Sequence, residues 1–475
     1  MRDHITRRRV LGALGVGITG LSGCVNEDGG DGGDGGDGGD GNGGTSDMTS
    51  DGTSTGGSDS AQSVSIGVLQ PLSGDLSYYG KQSLWGFLSG LSYKADRSPP
   101  EQSSTGELSM TVGDVEYTLY IRDTEFAADT AQTAATNLVS NQDVDMLTGC
   151  SSSGAAGRVI GNVVSQAGVP MMVGPAASAG ITANSETCSD LVYRASETTA
   201  MDARSGGKYV ANETDVSKVY LFGADYSFGR AVVNNYKAVL QQEGVEILDT
   251  RFVERGYEEW SGLLDNAEEA GAEGVVGGFT VATLPLMFNA FLSGDYSFRV
   301  FGGFATRITN SVVGGTLQNV LGEPLTGEKI RNARLGPFTT RYHWNQYDNE
   351  INSTFVDRYT ATYGVVPDLF TSGTFTGASA IHQAITEGGS TAGADVADAL
   401  KGMTVTDTPK GEGGYTFQEY NNQARSAMTV ADPIPTTDEW AENWGAAIMP
   451  SEPLARIGES ETTIPKDSDQ MGCSL

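Results

Sequence analysis

Residues 145–178, DMLTGCSSSGAAGRVIGNVVSQAGVPMMVGPAAS, constrain the fold more than any other stretch of the chain. Residues 146–149 read as a buried strand, and Val159, Ile160, Val163 and Val164 recur at helical spacing. Residues 170–173 form a second short apolar run. A strand, a helix and a second strand in so few residues make a βαβ unit, whose strands must run parallel. Small hydroxyl-bearing residues follow each strand, Ser151–Ser153 after the first and Ala177–Ser178 after the second. Ligands of open parallel sheets bind outside the carboxyl ends of the strands. The helix opening at Gly154–Ala156 adds free backbone N–H groups there. Two strand ends of the same chemistry predict a receptor for a small anion, most simply a carboxylate. A phosphate loop is the weaker reading, because Gly149 and Gly154 are followed by Ala155–Ala156 and not by Lys.

The N-terminus has to be set aside before the rest is read. Thr6-Arg7-Arg8-Arg9-Val10-Leu11 fits the twin-arginine export pattern, and the apolar residues 10–21 are too few to span a bilayer. They end in Leu21-Ser22-Gly23-Cys24, a lipobox that predicts cleavage before Cys24 and lipidation of its thiol. The match Gly15-x-Gly17-x-x-Gly20 falls inside this signal peptide, without βαβ context, and is not a dinucleotide fingerprint. Residues 24–61, with GGDGGDGGDGGD at their centre, contain almost nothing apolar and are expected to be a disordered tether. The chain is therefore expected on the extracytoplasmic face of the cell membrane, held by Cys24.

The formal charge is −31 over 475 residues. Removing residues 1–23 takes away four Arg and one Asp and moves it to −34. That charge makes nucleic acid and anionic lipid poor partners. Nine Lys against twenty Arg, with abundant Asp and Glu, fits a protein adapted to high salt, where surface acids are screened. Of four cysteines, Cys150, Cys188 and Cys473 remain after Cys24, with no CxxC and no His at metal spacing. No metal or cofactor is expected. One disulfide and one buried thiol are. Cys188–Cys473 would tie down a C-terminal tail poor in apolar residues, and Cys150–Cys188 is the alternative.

Beyond residue 61 the pattern alternates strand and helix. Strands are predicted over 63–70, 115–122, 146–149, 170–173 and 191–195, with helices over 81–93 and 127–140 and an irregular polar insert at 94–113. A second series starts with a strand over 218–222, ending in Gly223-Ala224-Asp225-Tyr226-Ser227-Phe228-Gly229. Strands over 245–253 and 274–277, helices over 260–270 and 284–292, and a strand end at 301–304 continue it. Helices over 350–363, 376–387 and 396–401 follow. Two such series predict an α/β chain of two doubly wound parallel-sheet lobes, with a ligand cleft between facing strand ends.

The motifs IGVLQPLSGDLSYYG, TGCSSSGAAGRV, VPMMVGPAAS, YRAS, LFGADYSFGRA and FVDRYTATYG resemble, in order and spacing, the leucine/isoleucine/valine-binding family of type I solute-binding proteins of ABC transporters. The resemblance covers about residues 62–430. It implies two lobes joined by three crossovers, closing on a small ligand and handing it to an ABC permease. It places 62–196 plus 306–405 in the first lobe, 197–305 plus 406–440 in the second, and 441–475 as a tail. Ser151, beside Ser152, matches the family's carboxylate-binding Ser, and Ser178 stands at a second carboxylate contact. Ala176 matches a backbone carbonyl that takes the ligand ammonium. Tyr79 matches an aromatic near the cleft mouth. Phe228 or Tyr226 corresponds to the second-lobe aromatic over the ligand, and Phe279 to another wall.

The family's acid for the ligand ammonium falls at Phe304 or Ala305, and no Asp or Glu lies between Ser297 and Leu321. Asp225 is the nearby acid available as a substitute. If it caps its own helix, the ligand is an uncharged-tail carboxylate or an amide. The leading expectation is thus a monomeric, lipid-anchored importer component that binds a branched-chain amino acid or related small carboxylate. The alternatives are a ligand-sensing receptor ectodomain of the same fold and a binder of an amide or aromatic carboxylate. An enzyme is not expected. Of three His, His4 lies in the signal peptide, His382 on a helix face and His343 at the surface or in lobe packing, with no nucleophile beside them. Asn212 and Asn352 begin glycosylation sequons.

Overall fold

The computed structural model describes residues 62–475. The signal peptide, Cys24 and the tether lie outside the described residues. Two parallel-dominated sheets form the frame. The first carries strands β1 (Gln62–Gln70), β2 (Gly106–Val112), β3 (Val115–Asp123), β4 (Met146–Gly149), β5 (Met171–Val173) and β6 (Val192–Arg194), in spatial order β2-β3-β1-β4-β5-β6. The second begins with β7 (Lys218–Ala224), β8 (Glu246–Val253), β9 (Gly274–Gly278), β10 (Arg299–Gly303) and β11 (Leu335–Thr340). Its order is β18-β15-β11-β10-β9-β7-β8 once β15 (Met428–Ala431) and β18 (Ala455–Ile457) join.

Each sheet is covered on both faces, as parallel sheets require. On the first, helices Ser77–Lys94 and Thr371–Gly388 bury one face with Ile66, Tyr117 and Ile381. Helix Ala128–Gln142 and the helical run from Ser153 to Ala167 bury the other with Leu138, Leu147 and Val163. Helices Ser77–Lys94 and Thr371–Gly388 approach closely because Gly86 and Gly90 leave room. A Cβ on Gly90 would stand 2.3 Å from the Phe375 carbonyl oxygen. On the second sheet, helix Ser227–Gln242 lies on one face, and helices Trp260–Glu269, Leu284–Ser293 and Arg307–Leu321 on the other.

Three segments cross between the lobes: 195–217, 341–349 and the single residue Ala427 between β14 (Ala424–Ser426) and β15. Buried charges wire them together. Lys410 Nζ lies 2.8 Å from Glu197 of the first crossover and donates to the Ala427 carbonyl at 2.7 Å.

Several segments depart from their expected places. The insert at 94–113 is not irregular throughout, since β2 pairs antiparallel with β3 over its full length. Leu108, Met110 and Val112 turn towards the core at the period of a strand. Residues 307–340 belong to the second lobe, not the first: β11 pairs with β10, and Val313, Leu317 and Phe338 pack in the second core. Residues 404–426 sit instead against the first lobe as a small antiparallel sheet with β12 (Thr404–Val405) and β13 (Tyr415–Phe417), whose Val405, Tyr415 and Phe417 enter the first core.

Nor is 441–475 a separate tail. β17 (Ile448–Pro450) pairs with β16 (Pro433–Pro435), β18 extends the second sheet, and Trp444 is fully buried against Trp344. Cys188 and Cys473 form a disulfide with a Cα–Cα distance of 5.9 Å. Cys150 is a buried free thiol whose pKa burial pushes up to about 12. Among the described residues no helix is long and apolar enough to cross a membrane.

Candidate functional site

The carboxyl ends of β4 and β5 face those of β7, β9, β10 and β11 across a cavity of about 110 Å³. An apolar cavity of about 150 Å³ holds a benzene ring, so one ring or one branched aliphatic chain is the scale of ligand that fits. Six residues expected from the sequence line it: Tyr79, Ser151, Tyr226, Phe228, Phe279 and Phe304. Phe126 and Phe370, which the sequence reading did not single out, extend the aromatic wall, and Tyr79 meets Phe370 edge-to-face at 5.0 Å.

The first-lobe pole is made where β4 ends. Gly149 has φ +126, and a Cβ there would stand 2.1 Å from the Leu69 carbonyl oxygen, so only glycine lets the chain turn off the sheet here. Ser151 then lies beside the end of β1 and donates to Gln70 Oε1 at 2.7 Å. Ser152 caps the following helix by accepting from Ala155 N–H and does not line the cavity. Ser153 does line it. Its Oγ accepts from the Ser178 N–H at 3.1 Å, which leaves the Ser153 proton free for a ligand.

Ala176 and Ser178 are outside the cavity lining. Arg194, fully buried at the end of β6, donates from Nη1 to both of their carbonyls at 2.8 Å. A guanidinium therefore occupies the acceptor expected for an ammonium. Asp225 is also outside the lining. It pairs with Arg230 on the surface of helix Ser227–Gln242, and with Ser152 and Arg255 it edges a separate depression at the cleft mouth. The sequence showed Asp225 beside the right strand end but could not show which way its side chain turns.

The charged residues that do line the cavity are Asp202 and Arg341. Asp202 comes from the first crossover and Arg341 from the second, and their side chains are 7% and 8% exposed. Arg341 Nε donates to Asp202 Oδ1 at 2.9 Å, and Nη2 to Oδ2. Burial works against the Arg341 charge, and Asp202 outweighs it, so Arg341 is held firmly protonated. Burial lowers the pKa of Arg194 to about 9, and the Arg341 charge adds to that lowering. No local signal marks Asp202 or Arg341, because 139 residues separate them and neither lies in a motif.

The two histidines have packing roles. His343 is enclosed by Phe304, Trp344 and Trp444, and His382 bonds the Tyr117 hydroxyl at 2.8 Å. Tyr79 reaches across the cleft, its hydroxyl oxygen accepting from the Val281 N–H at 2.9 Å. An aromatic-walled cavity with hydroxyls at one pole and a braced guanidinium at the other can enclose a small polar-ended molecule. Such an arrangement is suited to binding.

Known proteins share this architecture. A family model described as "Periplasmic binding protein" matches residues 63–435. A relative from Brucella abortus named Leu/Ile/Val-binding protein homolog 6 is 28% identical over 352 residues, covering 72% of this chain and 81% of the relative. Among solved structures, an amino acid ABC transporter substrate-binding protein from Pseudomonas fluorescens Pf-5 superposes with a TM-score of 0.68 at 21% identity, over 88% of this chain and 100% of the other. A solute binding protein of an ABC transporter from Rhodopseudomonas palustris BisB5, in complex with 3,4-dihydroxybenzoic acid, superposes with a TM-score of 0.65 at 18% identity, over 84% and 98%. With its type I fold of two lobes around an interlobe cavity, the chain belongs to the periplasmic binding protein family.

Proposed function

We propose that this protein is a lipid-anchored, extracytoplasmic solute-binding component of an ABC importer, and that its ligand is a small carboxylate. The observation that carries this reading is the cavity, walled by strand ends of both lobes, because a ligand there is enclosed only when the lobes close. The relatives named for leucine, isoleucine and valine, and for ABC transport, support the importer role. Ser153, whose proton is unspent, supplies the carboxylate pole, while Ser151 is held by Gln70 beside it.

Between a branched-chain amino acid and an uncharged-tail or aromatic carboxylate, the surroundings favour the latter. Asp225 is turned away, Arg194 fills the Ala176 carbonyl, and the walls are aromatic. The Rhodopseudomonas neighbour in complex with a dihydroxybenzoic acid lends the aromatic choice support. Cys24, following Leu-Ser-Gly, is the proposed anchor.

Calorimetry of the mature chain in molar KCl, against branched-chain amino acids, their des-amino acids and benzoates, tests the ligand class. Carboxylates without an ammonium should bind, and the reading fails if only amino acids do. Membrane fractionation of Cys24→Ala tests the anchor, which is wrong if the variant still sediments with membranes.

A further inference from the structure

Arg341 and Tyr236 bring unused hydrogen-bond donors into the second-lobe end of the cavity. Arg341 spends Nε and Nη2 on Asp202, while Nη1 donates to nothing among the described residues. It is the one cation among the residues lining the cavity. Tyr236, 1% exposed and on the same wall, has a hydroxyl with no partner among the described residues. Asp202 already accepts three hydrogen bonds from Arg341. The groups left unspent beside the Asp202–Arg341 pair are therefore both able to donate, and the carboxylate there is already engaged. A hydrocarbon tail placed there would seal both donors away from water unpaired, which is costly. An ammonium would meet a guanidinium and an acid already engaged.

We propose that Arg341, braced by Asp202, and Tyr236 form a second oxygen-binding pole, so that the ligand is a small carboxylate carrying a further oxygen at its far end. This rests on the small-carboxylate reading and deepens it. That oxygen is either a neutral hydroxyl or a second carboxylate. Both accept from the same two donors, and a charged partner strengthens each bond. Burial keeps the Tyr236 phenol protonated as a donor. Asp202 and Arg341 are positioning and specificity partners at once, since the carboxylate fixes the guanidinium plane and leaves Nη1 unspent on a residue that lines the cavity. Sites built to hydrogen-bond a ligand oxygen discriminate strongly against the analogue that lacks it.

The experiment is calorimetry with shape-matched pairs on the mature chain: 4-hydroxybenzoate against 4-methylbenzoate, and glutarate against 5-methylhexanoate. In at least one pair the oxygen-bearing member should bind about tenfold tighter or more, and which pair it is separates hydroxyl from carboxylate. Tyr236→Phe removes a hydroxyl that bonds nothing among the described residues, so its melting temperature should not fall while that preference drops several-fold. The double variant Arg341→Met/Asp202→Asn, checked for folding by its melting temperature, should abolish the preference and leave the methyl analogues bound. Equal binding within both pairs, or a preference untouched by Tyr236→Phe and by the double variant, overturns the second pole and leaves the small-carboxylate reading standing. Binding of leucine that is lost in Asp202→Asn overturns it in favour of an ammonium site. Failure of all four acids to bind removes the small-carboxylate reading, and the pole with it.

Discussion

The backbone N–H of Val281, just past β9 in the second lobe, donates to the Tyr79 hydroxyl oxygen at 2.9 Å, on the first helix of the first lobe. The bond spans the cleft, and the Tyr79 ring also stacks edge-to-face on Phe370. Tyr79→Phe keeps the ring and loses the acceptor. One such bond contributes about 0.5–1.5 kcal/mol, so carboxylate binding should weaken about two- to tenfold with little change in melting temperature. Titration calorimetry reads both affinity and enthalpy, and unchanged affinity would mean that the contact does not hold the closed form.

Asp225→Asn should change ligand affinity by less than about twofold. Its partner Arg230 lies on the helix that follows Asp225, and both side chains are about half exposed. A large loss of affinity would move Asp225 from the cleft mouth into the site.

Two buried groups give opposing pH dependences. Burial raises the pKa of Asp368 from 3.8 to about 7, so the folded state holds a proton that the unfolded chain releases, and stability falls as pH rises through that window. Burial lowers the pKa of His343 from 6.5 to about 3, so the unfolded chain takes up a proton that the native state refuses, and stability falls as pH drops below 6.5. Over the shared range the two cancel in part. Asp368→Asn should therefore make stability rise more steeply between pH 4 and 6.5, and His343→Leu should make it rise less or fall. Urea unfolding at a series of pH values checks this. Parallel profiles for all three proteins would show that neither group titrates as its burial implies.

The Cys188–Cys473 bridge closes a loop across 285 residues and fastens the C-terminal segment near helix Gly180–Ala183. Replacing both by Ser should lower stability by about 2–5 kcal/mol. Non-reducing peptide mapping of the parent should recover the 188–473 pair, with Cys150 alkylated only after unfolding. A Cys150–Cys188 peptide would reassign the bridge.

The melting temperature should rise from low to molar KCl, because the strongly negative mature chain, at −34, repels itself and salt screens that repulsion. A flat response would mean that the acids are balanced locally.

Local periodicity settles what each segment is, and for that the sequence is sufficient. The apolar runs of β4 and β5, the helical spacing of Val159 to Val164 and the small residues after each strand require a parallel α/β sheet with a site at its carboxyl edge. Ser151, Tyr79, Tyr226, Phe228, Phe279 and Phe304 reach the cavity because each follows or faces a strand end, a position legible in the chain itself. Even the strand β2 was written in the alternation of Leu108, Met110 and Val112. Partnership was not legible. Helix Arg307–Leu321 and strand β11 suit either lobe by pattern, and only packing against Phe288, Phe291 and β10 placed them in the second. Asp225 had two acceptable directions, and a nearby Arg230 decided between them. Asp202 and Arg341 meet because two crossovers converge under the cavity, and a charge pair 139 residues apart leaves no trace in either segment. Element type follows from short-range spacing, whereas the choice of which buried charges face each other follows from closure of the whole fold.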